Sequence, residues 1–81
     1  MSKLGAHKLK KHSVTIRGHS TSFTLEDEFY HIVCRLAASR TMALAALIAE
    51  IDGLRPADCN LSSAIRLYAL QSVLNDQRDK A

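Results

Sequence analysis

The chain has 81 residues, 47% hydrophobic and 5% aromatic, with no tryptophan and a formal charge of +3. That length allows one domain with a mainly aliphatic core, and so small a chain is expected to share part of its apolar area across a subunit interface. No apolar run approaches the length of a membrane span and no hydrophobic leader opens the sequence, so a cytoplasmic protein with no membrane partner is expected.

Charge is unevenly spread. Residues 1–19 hold Lys3, Lys8, Lys10, Lys11 and Arg17 with no acid, a charge of +5, and the rest of the chain carries −2. A basic segment leading into a polar strand face is the electrostatic footprint of nucleic-acid binding. Residues 1–11 lack periodicity and read as a disordered basic arm. Residues 12–17 then alternate, with Val14 and Ile16 on one face and Ser13, Thr15 and Arg17 on the other. Gly18-His19 offers a bend.

Residues 20–25 alternate again. Phe23 and Leu25 share one face, and Ser20, Ser22 and Thr24 share the other. Everything after Leu25 reads as helix, so this strand needs a mate from outside the helical body. The simplest mate is its own copy in a second chain. Residues 12–17 either fold back as a hairpin or extend the ribbon, and alternation does not choose between these.

From Glu26 the period becomes helical. Phe29, Ile32, Val33, Leu36 and Ala37 form one stripe, which predicts a first helix over about residues 27–39. Acids in its first turn suit the helix dipole, and Thr24 is a candidate cap. Thr41 is the expected cap of a second helix carrying Leu44, Leu47, Ile48 and Ile51, ended by Gly53 and Pro56. Asn60 caps a third helix, from Leu61 to about Asn75, whose apolar positions spread from Leu61, Ala64, Ile65 and Tyr68 to Leu67, Leu70, Val73 and Leu74. A helix so broadly apolar is either sandwiched in the core or part of an interface. Residues 76–81 form a charged tail.

Nothing supports catalysis: no nucleophile is paired with a base, and no carboxylate pair is placed in a pocket. His31 and Cys34 have a spacing that could share a metal, but without a dense ligand cluster they read as a surface histidine and a packed thiol. Cys34 and Cys59 fit a reducing compartment. No catalytic, cofactor-binding or metal residue is assigned, and no small-molecule substrate is expected.

The order strand, acid-led helix, short turn, Ala-rich helix resembles the ribbon-helix-helix DNA-binding domains of the Arc/MetJ type, and Phe23, Leu25, Phe29, Val33, Leu36, Leu44 and Ile48 fit that class. The chain is closer still to a small bacterial subfamily of these proteins. The likeness lies in Ser-Val-Thr-Ile at 13–16, Gly18-His19, the strand at 21–26, Ala-Ala-Leu-Ile-Ala-Glu-Ile-Asp at 45–52 and Asn-Leu-Ser-Ser-Ala-Ile-Arg at 60–66. It covers residues 12 to about 74. Two positions depart from the pattern: Thr41 stands where a glycine is usual, and Ala43 where a hydroxyl usually meets a DNA phosphate.

The resemblance implies a mostly α fold with a short β-ribbon. Its form would be an intertwined homodimer with an intermolecular antiparallel two-stranded sheet and an additional C-terminal helix, the domain spanning residues 12–75. It implies a transcriptional regulator that inserts a dimeric ribbon into the major groove of double-stranded DNA. Lys8, Lys10, Lys11, Arg17, His19, Ser20, Ser22, Thr24 and Thr41 are the expected DNA-binding residues. Phe23, Leu25, Phe29, Val33, Leu36, Leu44, Leu47, Ile48 and Ile51 are the expected dimer core. The alternative is a homodimeric protein-interaction module, antitoxin-like or an adaptor, whose third helix docks a protein partner and which binds DNA weakly or without sequence preference.

Overall fold

A computed structural model describes the backbone of residues 9–80 and the side chains of residues 9–77. Two strands, β1 (Leu9–Ile16) and β2 (His19–Glu26), precede three helices, α1 (Asp27–Ser39), α2 (Leu44–Leu54) and α3 (Leu61–Lys80). The fold is the expected mostly α arrangement, a short ribbon followed by helices with one extra at the C-terminus.

The strands pair with each other. β1 and β2 form an antiparallel hairpin with Ile16 opposite His19, Ser13 opposite Ser22 and Leu9 opposite Glu26. The expectation that β2 lacks a mate within its own chain is therefore corrected, and with it the need for a sheet shared between chains. The cause is the two-residue turn Arg17-Gly18. Both residues have positive φ, 52° and 80°, as in the type I′ turn whose twist matches that of the flanking strands. Glycine adopts this region freely; Arg17 does so at a steric cost. β1 also begins at Leu9, so Lys10 and Lys11 are strand residues rather than part of an arm.

The inner face of the hairpin lies on the helices. Ile16, Phe23 and Leu25 join Val33 and Ala37 of α1, Leu47, Ile48 and Ile51 of α2, and Leu61, Ala64, Ile65 and Ala69 of α3 in one buried cluster. Phe29, Leu36 and Leu44 are half-buried around it. The residues read as a dimer core thus form the core and rim of a single chain. The His12 ring also faces inward, stacked on Tyr30 with centroids 3.8 Å apart and on Phe23 at 5.6 Å. Its Nε2 is buried without a hydrogen-bond partner, so stacking and apolar contact hold the ring there.

The helix ends differ from the expected caps. Glu26, not Thr24, is the N-cap of α1, in an extended conformation with no side-chain cap bond. Thr24 is still a strand residue, and its N–H donates to Ser62 Oγ of α3 at 3.0 Å. Thr41 does not cap α2; Ala43 takes that position. Thr41 instead ends α1 in the left-handed conformation, φ 56°. Its N–H donates to Ala38 O and that of Met42 to Ala37 O, both at 3.0 Å, the bond pair of a Schellman motif. Glycine normally fills that position, and a β-branched residue there is strained.

Asn60 caps α3 as expected, its Oδ1 accepting the Ser63 N–H at 2.8 Å. α3 continues beyond Asn75 to Lys80 because residues 76–80 contain neither glycine nor proline to stop it. Among the described residues no single helix is long and apolar enough to cross a membrane.

Candidate nucleic-acid interface

Antiparallel pairing with period two puts one set of side chains on each face of the hairpin. With Phe23 and Leu25 buried, the outer face presents Lys11, Ser13, Thr15 and Arg17 from β1 and its turn beside Ser20, Ser22 and Thr24 from β2. All seven are exposed. Ser13 Oγ and Ser22 Oγ lie 3.3 Å apart across the strands. Five hydroxyls lie between Lys11 and Arg17, which stands at the tip; toward α1 the face continues to Leu9 and Glu26, the latter paired with Arg66. Ser13 and Thr15 join Ser20, Ser22 and Thr24 only because the hairpin closes within one chain. Their alternation was visible in the sequence, but the pairing that unites the two rows was not.

Ion pairs sort the remaining basic residues. Lys10 points to the inner side, its Nζ 3.2 Å from Asp27 Oδ2 at the start of α1. Arg40 grips Glu50 with two hydrogen bonds, 2.8 and 3.0 Å, and donates to the Tyr68 hydroxyl at 3.2 Å, joining the end of α1 to α2 and α3. Arg66 Nε donates to Glu26 Oε1 at 2.9 Å, tying α3 to the hairpin-to-helix junction. Arg55 bonds Asp52 and the Cys59 carbonyl, both at 2.7 Å, and so shapes the α2–α3 connection. The hydrogen bonds from Arg66 and Arg40 hold the carboxyls of Glu26 and Glu50 below the usual carboxylate range.

These four basic groups each have an acidic partner within the chain. Lys11 and Arg17 have no acidic partner among the described residues, and only they project from the hairpin's outer face. Arg35 is exposed on α1 and lines a groove against α3. Of the other expected contacts, His19 is exposed beside the turn and Thr41 is exposed at the α1–α2 junction, off the hairpin; Lys8 lies outside the described residues. At the start of α2 the capping residue Ala43 supplies no side-chain acceptor, leaving early N–H groups of the helix for an external one. No group of three or more histidine, cysteine or acidic residues converges among the described residues, and Cys34 and Cys59 are free thiols.

Residues 9–73 match the ribbon-helix-helix domain family. The match spans most of the chain, from the start of the hairpin into α3, and the chain belongs to that family. Members typically bind DNA, generally as dimers, and are generally not enzymes. No curated protein and no solved structure matches the chain.

Proposed function

We propose that the protein is a DNA-binding transcriptional regulator that places the outer face of its β1–β2 hairpin in the major groove. The observation that carries this reading is the exposed face of five hydroxyls between Lys11 and Arg17, whose carboxylate at the helix end, Glu26, is paired with Arg66, on a body whose other hairpin lysine is in an ion pair. Two strands about 4.8 Å apart form a ribbon that enters a groove about 12 Å wide; a four-stranded sheet would not. Lys11 and Arg17, helped by Lys8, neutralise phosphates. Ser13, Thr15, Ser20, Ser22 and Thr24 touch base edges. Short hydroxyls bond to either base class, so sequence preference is modest beside that of an arginine on guanine.

The regulator acts in the cytoplasm as a homodimer, which doubles the set of phosphate contacts. If six phosphates are met, affinity for duplex DNA falls about a thousandfold between about 50 mM and about 200 mM salt. Gel shifts on random-sequence duplexes at two salt concentrations test this. Replacing Lys11 and Arg17 with alanine should weaken binding to all sequences and flatten the salt slope, by about one per lost phosphate contact. Arg35→Ala should leave binding unchanged. Salt-independent affinity, or full binding by the double variant, removes the proposal.

A further inference from the structure

Helix α3 grips the hairpin at the root of its outer face, and it does so at two points. On the edge of β2 away from β1, the Thr24 N–H donates to Ser62 Oγ at 3.0 Å. Two residues on, Glu26 Oε1 accepts from Arg66 Nε at 2.9 Å. Ser62 and Arg66 are four apart on α3 and so lie on one side of it. Thr24 and Glu26 are two apart on β2 and so share its outer face. Thr24 also lies opposite Lys11, so the rung held by Ser62 belongs to the surface proposed to meet DNA. β1 is tied to a different helix, by Lys10 on Asp27 and by the His12 ring on Tyr30 of α1.

The two bonds act on that surface in different ways. Glu26 is the only acid in the hairpin, and left unpaired it would repel a phosphate at the end of the face. Arg66 cancels its charge from a half-buried position. Ser62 holds backbone instead. A serine or threonine hydroxyl reaches one bond beyond Cβ, so strand placement decides whether it meets a base edge, within about 0.5 Å. Lys11 and Arg17 end long flexible stems and still meet phosphate when the strand tilts slightly.

Resting on the reading of this hairpin as the DNA-contacting element, we propose that Ser62 and Arg66 are positioning residues for recognition. Ser62 fixes the pitch of the hydroxyl rows and with it the sequence preference. Arg66 neutralises Glu26 and so raises affinity for every sequence alike. The third helix, whose first turns carry both residues, thus prepares the contact surface without touching DNA.

Duplexes selected from a random-sequence pool by the unaltered chain supply a preferred site. Affinity for that site and for the unselected pool is then measured at two salt concentrations. Ser62→Ala should cut the ratio of the two affinities about fivefold, the weight of one base contact, and leave the salt slope unchanged. Ser62→Thr keeps the oxygen and should keep the ratio. Arg66→Ala should weaken binding to both duplexes alike, and E26Q/R66A, which lacks the unpaired charge, should recover it. Circular dichroism at the binding temperature confirms that each variant is folded; if Arg66→Ala unfolds, Arg66→Met keeps the aliphatic stem and takes its place. Amide hydrogen exchange supplies a measurement without DNA: Ser62→Ala should speed exchange at Thr24 while the amides of α1 and α2 keep their rates. No duplex binding by the unaltered chain fails the DNA reading, and this inference with it. Binding with an unchanged ratio in S62A, unchanged exchange at Thr24, or full affinity in the Arg66 variant overturns this inference alone.

Discussion

The two faces of the hairpin contain the same number of strand positions and are held by opposite rules. The inner face is defined by contact: Phe23 and Leu25 are buried, His12 is stacked between two rings, and Lys10 is committed to Asp27. The outer face is defined by availability, with five hydroxyls exposed and Lys11 and Arg17 without acidic partners. A fold that needed these side chains for its own stability would have engaged them. The comparison therefore separates what the chain uses to fold from what it holds out for a ligand.

The largest expected effect lies on the inner face. Phe23→Ala should cost about 3–5 kcal/mol in urea unfolding, because a ring in a packed cluster leaves a cavity. Ser22→Ala on the outer face should change stability by less than about 0.5 kcal/mol. Equal costs would show that the two faces contribute alike to the fold. The next effect is at Thr41. Thr41→Gly should stabilise the chain by about 1 kcal/mol, since glycine removes the left-handed penalty at the end of α1.

A smaller change sharpens the contrast at the hairpin tip. Arg17→Asn creates the Asn-Gly pair that type I′ turns favour and should raise stability by roughly 0.5 kcal/mol. If Arg17 meets phosphate, the same substitution weakens DNA binding, so stability and affinity move in opposite directions. Movement of both in the same direction would show that the turn residue serves the fold alone.

The smallest effect is set by pH. Glu26 and Glu50 have carboxyls below their ordinary value of 4.5, through Arg66 and Arg40. A carboxyl lowered in the folded state adds stability above its unfolded pKa and loses it as pH falls through the folded value. Thermal melts should therefore decline below about pH 4.5, and the decline should be shallower in the E26Q/E50Q variant. Both groups are at the surface, so the contribution is small and salt-sensitive.

Much of this architecture was legible in the residues. The stripe of Phe29, Ile32, Val33, Leu36 and Ala37 placed α1 over the span it occupies, because an acid-led start and a 3.6-residue period are local signals. Asn60 acts as the cap it resembled. The errors come from residues whose usual role differs from the one taken here. Thr41 has the chemistry of an N-cap yet holds a left-handed C-terminal position, and an arginine gives little notice of a type I′ turn. With hairpin and extended ribbon both left open by the alternation, β2 was read as needing a mate in a second chain, whereas β1 pairs with it within one.

For the candidate interface, alternation sorted Ser20, Ser22 and Thr24 outward. It also gave the outward set of β1, but only the pairing within the chain puts Ser13 and Thr15 beside them. Lys10 and Lys11 looked equivalent as members of a basic arm. Once β1 extends back to Leu9, their opposite parity assigns one to an ion pair and the other to the exposed face.

The bond from the Thr24 amide to Ser62 has a consequence for behaviour in concentrated solution. Outer strands recruit further strands through rows of vacant amides, which is how sheets grow into fibrils. On β2 the helical body occupies the amide of Thr24, which shortens the stretch of that edge open to a newcomer. Ser62→Ala, by vacating that amide, should make the chain more prone to fibrillar growth on prolonged incubation.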